Sequence, residues 1–293
     1  MVELLLKETS LHVPLSLKEF NSLPGGWGED MGMLAPWEKS CPDFLKSLVN
    51  EDSFRTIVVG KTPSLMDLIR AEEIRGEISD WDSLIAFSQE AGRGRLGRSW
   101  ASLPGNITGA IRLPLPPKGY ETLLPLLLSD IIAFFLMGLG LSIRVKWPND
   151  LILNSGKVGG ILIEEKAGIF IAGIGINLFA APELVQKEFT SEAFPPLALL
   201  GYLKNPIGPL TFWRKLVKEI QIKYNYAINN LSPHEFVEDF SARMLLLSEK
   251  VMLTETWEGE ISGVLTGLTE EGALRVLTEG GERIFLNGSL RPA

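Results

Sequence analysis

A chain of 293 residues, 45% hydrophobic and 22% charged, can bury a substantial core and has room for one large domain plus a smaller one. Its formal net charge of -8 argues against a non-specific nucleic-acid surface, which needs a basic stripe to release counterions, so basic residues must act locally. Cys41, the single cysteine, forms no internal disulfide and fits a reducing compartment, while two histidines, His12 and His234, offer no His-rich metal cluster for zinc chemistry.

At the start of the chain, Glu3 and Glu8 flank a short apolar run with no small-residue cleavage site, a poor signal peptide that points to a cytoplasmic protein. Pro24-Gly25-Gly26-Trp27-Gly28 and Ala35-Pro36-Trp37 break any periodicity in residues 1–55, and no pair of helices suggests a DNA-reading helix-turn-helix. From Thr56 the pattern is regular. It predicts a strand at Thr56–Val59, a helix around Ser64–Glu73, and a strand at Ser83–Ser88 leading into an arginine loop.

The apolar stretch Leu123–Leu141 contains Asp130, which costs about 2.5 to 3.5 kcal/mol on membrane-insertion scales, so it is predicted as a buried helix rather than a membrane span. Pro125 suits its first turn, Ser129 and Asp130 can face outward or cap, and Gly138 to Gly140 mark its end. Strands are expected at Ile143–Lys146, Gly159–Glu165 and Gly168–Leu178, the last two joined by a tight turn. Trp213, Leu216, Val217, Ile220 and Tyr224 give one helix an apolar face. A second helix opens with the capping box Ser232-Pro233-His234-Glu235, which makes His234 an exposed first-turn residue, and runs on through Phe236, Phe240 and Met244. Beyond Leu247 short alternating strands at Lys250–Thr254, Glu260–Leu265, Ala273–Leu277 and Arg283–Leu286 predict a small all-β domain.

Gly92-x-Gly94-x-x-Gly97 fits a dinucleotide-binding pattern, but Pro104-Gly105 interrupts the helix that should follow and no ribose-binding acid is in place. Gly60-Lys61-Thr62 ends like a P-loop, yet Arg55 stands where the first glycine should be. What survives is a flexible loop carrying Arg93, Arg95 and Arg98 with Trp100 at its end, able to close over a carboxylate or phosphate, set against the alternative of solvated surface arginines. Lys146 ends a strand ahead of the Pro148-Asn149-Asp150 turn, and Gly159-Gly160 and Gly173-x-Gly175 put bare backbone on the next two strands. Together these outline a sheet-lined anion pocket, although the glycines by themselves read as bulges or tight packing.

These runs resemble the biotin protein ligases, also called biotin-[acetyl-CoA-carboxylase] ligases. The likeness is carried by Ser64-Leu65-Met66-Asp67, Gln89-Glu90-Ala91 with Gly92–Trp100, Lys146–Asp150, Lys157–Glu164 and Gly173-Ile174-Gly175-Ile176-Asn177, and it continues to Ser289–Pro292. It implies an α/β (α+β) chain with a mixed-sheet catalytic domain over residues 56–246 and an SH3-like barrel over 247–293, preceded by a segment of unknown role, 1–55. The implied reaction joins biotin and Mg-ATP into biotinyl-5′-adenylate, then passes the acyl group to a lysine of a biotin carboxyl carrier domain.

By the same resemblance Ser64 and Gln89 contact the ureido and ring end of biotin, Leu65 lies near its head, and Met66 belongs to the same binding set. Gly92, Arg93, Gly94, Arg95, Arg98 and Trp100 close over biotin and its adenylate. Gly159, Gly160, Gly173 and Gly175 give close backbone approach, and Asn177 serves the nucleotide. Lys146, bridging carboxylate and α-phosphate, and Arg95 are the implied catalytic residues, with Asp150 a candidate magnesium contact. Leu65 replaces a usual threonine and Leu96 a frequent arginine, departures that weaken biotin binding without abolishing it. The N-terminal segment does not resemble the DNA-binding domain of repressor members, so the expectation is a cytoplasmic ligase, monomer or homodimer, with no DNA or membrane partner. Lipoate or octanoate transfer, and a non-catalytic protein that holds biotin or its adenylate, are the alternatives.

Overall fold

The computed structural model describes residues 1–41, 43–48, 54–183, 194–255 and 259–293. The chain runs through β1 (Val2–Leu5), α1 (Leu17–Phe20), α2 (Trp27–Met33), β2 (Glu38–Cys41), β3 (Phe44–Ser47), β4 (Thr56–Thr62), α3 (Leu65–Ile74), β5 (Ser83–Gln89) and β6 (Ile107–Leu113). There follow α4 (Leu124–Gly138), β7 (Ile143–Lys146), β8 (Asp150–Leu153), β9 (Gly156–Lys166), β10 (Ile169–Ile176), α5 (Pro209–Asn230) and α6 (Pro233–Ser241), and then β11 (Lys250–Glu255), β12 (Gly259–Leu268), β13 (Leu274–Thr278), β14 (Gly281–Phe285) and β15 (Ser289–Pro292). The chain divides into two compact units. One holds 1–115, 158–182 and 197–221; the other holds 116–157, 183–196 and 222–293.

The first unit is built on a mixed sheet in the order β2-β3-β1-β4-β5-β6-β10-β9. β4 pairs in parallel with both β1 and β5, and the ladders from β5 through β6 and β10 to β9 are antiparallel. With neighbours on both sides, β4 reads as the continuous apolar run Ile57-Val58-Val59, all buried, instead of an alternating one. Leu65, Met66, Leu68 and Ile69 recur at helical spacing, so α3 lays one face on Ile57, Val59, Leu84, Ala86, Ala110 and Ile171. On the opposite face the indole of Trp213, from the first part of α5, occupies the place a side chain at Gly109 would take and donates from Nε1 to Ser83 Oγ at 3.1 Å. Ala167 (φ 55°) and Gly168 (φ 77°) make the β9–β10 hairpin turn, both central residues having the positive φ that a two-residue turn between right-twisted strands requires.

Residues 1–48, unreadable by periodicity, contribute β1 to β3 and the buried Phe20 and Trp27 to this unit. Asp30 is 2% exposed and accepts from Leu210 N–H at 2.8 Å and from Thr211 Oγ1 at 2.5 Å. It thus satisfies a first-turn N–H of α5 from far away in the chain.

In the second unit α4 packs on the β7–β8 hairpin. Ser129 and Asp130 do not face outward. Ser129 is fully buried and donates to Pro125 O at 2.6 Å, and Asp130 accepts from Arg243 at 2.9 Å, so the intrahelical carbonyl and the distant guanidinium neutralise what the apolar stretch could not otherwise bury. Among the described residues no helix is long and apolar enough to cross a membrane. Ser232 and Glu235 form the expected capping box, but α6 stops at Ser241 and Met244 is buried beyond its end. The terminal strands form an antiparallel sheet in the order β14-β13-β12-β11-β15. β14 and β15 are its two edges, so among the described residues the ladder is open where a closed barrel was expected.

Candidate functional site

Register decides which of the glycines share a surface. Residues directly opposite in an antiparallel pair point to the same side. Gly175 faces Gly160 on β9 and Thr108 on β6, while Gly173 faces Leu162 and Ala110, so Gly160, Gly173 and Gly175 strip one face of the sheet. Gly159 pairs with Ile176 and lies on the other face. The stripped surface is covered by side chains from other elements. A Cβ at Gly175 would fall 2.3 Å from Trp100 Cε2, and one at Gly173 would fall 2.7 Å from Met66 Sδ. Only glycine admits that indole and thioether so close to the strand. Trp100 Nε1 and Thr108 Oγ1, both on this side of the sheet, are buried without a hydrogen-bond partner, a costly state for buried donors and one that a polar ligand would relieve.

One rim of this face is the start of α3. Ser64 is its N-cap residue, 3% exposed, and Leu65 N–H, one of the helix's orphan donors, gives its hydrogen bond to Gln89 Oε1 at 2.7 Å. That fixes the Gln89 amide. Gly92 fits against it: a side chain there would meet Gln89 Nε2 at 2.6 Å and Trp100 O at 2.4 Å. Leu65 itself points into the core with Ile57 and Leu68, so its contribution to the rim is its backbone.

The arginine loop is an internally bonded turn. Trp100 N–H donates to Gly92 O at 2.8 Å and Gly94 N–H to Arg98 O at 2.7 Å, around a 3-10 turn at Arg95–Gly97 in which Leu96 takes φ 56°. Its three arginines are not equivalent. Arg93 makes a bidentate pair with Asp67 at 2.8 Å on each arm and reaches Glu164 at 3.4 Å, and Glu164 also holds Arg70 at 3.3 Å. The Arg93 hydrogen bond holds the Asp67 carboxyl below its ordinary range. Arg95 is half-buried and Arg98 exposed. Sequence reasoning singled out Arg93 but missed its carboxylates, although both stand inside the quoted runs, Asp67 after Met66 and Glu164 at the end of the Lys157 run. Because the Arg93–Asp67 pair is close to half exposed, it contributes at most about 1 kcal/mol to stability, and its effect is on where the loop sits. Asp67→Ala is therefore expected to speed proteolysis within residues 92–100 while leaving the melting temperature close to wild type; an unchanged cleavage rate would rule out the latch.

Asn177 closes the strand that carries Gly173 and Gly175. Its N–H donates to Val158 O and its O accepts from Leu199 N–H, each at 2.8 Å. Asn106, which the sequence did not single out, brackets the turn beyond it: Asn106 Oδ1 accepts from Phe179 and Ala180 N–H at 3.0 Å and Nδ2 donates to Ala180 O at 2.7 Å.

In the second unit the β7–β8 register sets Lys146 opposite Asp150, across the Trp147-Pro148-Asn149 turn. Asp150 Oδ2 lies 2.8 Å from Lys146 Nζ and Oδ1 lies 2.7 Å from Lys157 Nζ, so one carboxylate holds two ammonium groups. Burial alone would raise the pKa of Asp150, but the charges of Lys157 and Lys146 outweigh it and bring the group from 3.8 down to about 2. Lys146 Nζ also stands 5.6 Å from the centroid of the Phe194 ring. Trp147 Nε1 donates to Gly272 O at 2.9 Å, and Lys157 N–H to Pro195 O at 2.7 Å, which pins both ends of the triad. The result is a Lys146 ammonium fixed in place by a buried carboxylate and only partly exposed.

Residues 78–179 match the Biotin/lipoate A/B protein ligase family. The chain is 31% identical over 214 residues to a biotin--[acetyl-CoA-carboxylase] ligase of Paracoccus denitrificans, covering 69% of this chain and 86% of that protein. It is 30% identical over 236 residues to the bifunctional ligase/repressor BirA of Escherichia coli, covering 74% and 69% respectively. Among solved structures, the biotin protein ligase of Aquifex aeolicus in complex with biotin and ATP superposes with a TM-score of 0.68 at 29% identity, over 81% of this chain and 99% of that one. Identity at this level over most of both sequences, on the same mixed α/β fold, means that the chain belongs to the biotin protein ligase family.

Proposed function

We propose that the protein is an ATP-dependent biotin protein ligase that forms biotinyl-5′-adenylate and transfers biotin to a lysine of a biotin carboxyl carrier domain. The observation that carries this reading beyond family membership is the Lys146–Asp150–Lys157 triad, in which a buried carboxylate fixes the Lys146 ammonium on the motif that the family places at the reacting phosphate. In the first step a biotin carboxylate oxygen attacks the α-phosphorus of ATP and the bond to pyrophosphate breaks, with the electron pair leaving on pyrophosphate. Two anions must meet for this to happen. Lys146 lowers that repulsion and balances the charge that builds on the α-phosphate oxygens, with Asp150 holding its ammonium in position. In the second step the carrier's lysine amine attacks the acyl carbon, the C–N bond forms, AMP leaves with the C–O electrons, and the amine proton passes to solvent.

The first unit supplies binding. Ser64, Gln89 and the backbone at Leu65 and Gly92 take the ring end of biotin, and Met66, Gly160, Gly173 and Gly175 take its apolar body. The unpartnered Trp100 N–H supports a polar group of the ligand lying along that face. Arg93 positions the loop through Asp67, Arg95 and Arg98 hold the adenylate in line with the family likeness, Gly94 lets the loop turn and Gly159 packs the reverse side of the sheet. Asn177 serves the nucleotide. Magnesium enters as Mg-ATP, where it screens phosphate charge. Asp150 does not fit as its protein ligand, since both oxygens already hold ammonium groups, and among the described residues no three His, Cys, Asp or Glu side chains are grouped to hold a metal ion.

In this reading residues 56–246 are the catalytic domain and 247–293 an SH3-like terminal domain, with residues 1–55 adding to the catalytic sheet through β1. Residues 1–41 and 43–48 are strands and short helices of that sheet unit, and the reading takes the ligase to act in the cytoplasm without binding DNA. The test is to incubate the purified protein with Mg-ATP and either biotin or lipoate, with and without a carrier domain, and follow adenylate and modified lysine by mass spectrometry. Biotinyl-adenylate and a biotinylated carrier are expected. Lipoyl-adenylate alone would move the protein to lipoate ligation, and ligand binding without turnover would make it a binding protein.

A further inference from the structure

The segment before Thr56 reaches the binding rim by a route the family motifs do not describe. After β1 the chain turns at Thr9–His12, where Thr9 Oγ1 meets His12 Nδ1 at 3.1 Å and accepts from Leu11 N–H at 3.1 Å, and then runs antiparallel to the end of β4. Val13 N–H donates to Lys61 O at 2.6 Å and Lys61 N–H donates to Val13 O at 2.9 Å. Thr62, 1% exposed, donates its hydroxyl to Leu11 O, and Leu11 packs on the core that contains Leu65 and Met66. The approach is close enough that a Cβ at Gly60 would fall 2.4 Å from Val13 O.

The other side of the same residues belongs to the site. Thr62 pairs with Gln89 in the parallel β4–β5 register, Thr62 O accepts from Glu90 N–H at 3.0 Å, and Pro63 O accepts from Ala91 N–H at 2.8 Å. Thr62 therefore stands between the N-terminal segment and the run that carries Gln89 into the arginine loop, two residues before Ser64. A shift of β4's last residues moves Ser64 and Gln89 together.

We propose that residues 9–15 are a positioning strap for the biotin-binding rim, acting through Thr62, which sets biotin affinity and leaves the phosphoryl chemistry untouched. The proposal rests on the biotin ligase reading. Thr62→Val deletes the hydroxyl donor at nearly constant shape, Thr62→Ser keeps it, Gly60→Ala wedges β4 away from Val13, and Leu11→Ala trims the packing alone. Biotin binding is measured calorimetrically without ATP, next to kcat and the ATP KM at saturating biotin and the melting temperature.

Thr62→Val is expected to raise the biotin Kd by about tenfold, the worth of one buried hydrogen bond, and Gly60→Ala to raise it by displacing β4, with kcat and the ATP KM unchanged in both. Thr62→Ser should restore wild-type affinity, and Leu11→Ala carries the test if the first two variants fail to fold. Variants that melt lower yet bind biotin as the wild type does would reduce the strap to a structural element and overturn the proposal. A folded wild-type protein that binds no biotin would instead overturn the ligase reading, a result seen before any variant is made.

Discussion

Lys146→Ala is expected to slow biotinyl-adenylate formation by about a hundred- to a thousandfold, the cost of about 2.7 to 4 kcal/mol seen when a fixed transition-state donor or charge is removed. The fold should survive. Asp150 keeps Lys157 at 2.7 Å when Lys146 is gone, so the substitution does not strand the carboxylate. Single-turnover measurement of pyrophosphate release separates the chemical step from product release, and circular dichroism checks the fold. A rate within a few fold of wild type would remove Lys146 from the chemistry.

Asp150→Ala has the opposite character. It takes the shared carboxylate from two ammonium groups whose side chains are only 13% and 25% exposed, and a broken, largely buried pair costs about 3 kcal/mol or more. We expect the denaturant midpoint to fall accordingly, with Asp150→Asn intermediate because its amide still offers one acceptor. The same triad fixes a pH dependence. The folded-state pKa of Asp150 lies near 2, below the ordinary 3.8, so its stabilising contribution is complete above about pH 5 and is lost as pH falls from 4 towards 2. That contribution is about 2 kcal/mol, and Asp150→Ala should flatten the acid limb of the stability curve by that amount. An acid limb identical in wild type and variant would show that the carboxylate is not held by the two lysines.

The parts of this chain that sequence reading recovered are those in which a local rule decides. Ser232 and Glu235 form a capping box because four adjacent residues suffice, Ala167-Gly168 turns because two residues set the φ angles, and α3 follows from apolar spacing. The first 48 residues were opaque because their partners are remote: β1 borrows β4 and β3, and Asp30 caps a helix about 180 positions away. The site shows the same division. The strand end at Lys146 and the turn after it were legible from their own motif, whereas Arg93's partners needed the tertiary structure and the separation of Gly159 from Gly160 needed the strand register. Asp130 was read as facing outward or capping because nothing nearby announces Arg243.

β1 has a further consequence, for colloidal behaviour. β4 is a run of β-branched residues with little charge, and in the folded chain its outer edge is occupied by β1 and, further along, by Val13. A shortened chain beginning at Arg55, where the recognisable motifs start, would leave that edge as a row of open donors and acceptors on an Ile-Val-Val strand, the kind of template on which other chains add. Such a fragment should precipitate, or recruit copies of itself edge to edge, at concentrations where the whole chain stays dispersed. Residues 2–5 thus cover the strand on which the sheet would otherwise grow, and hand its edge on to β3 and the short β2.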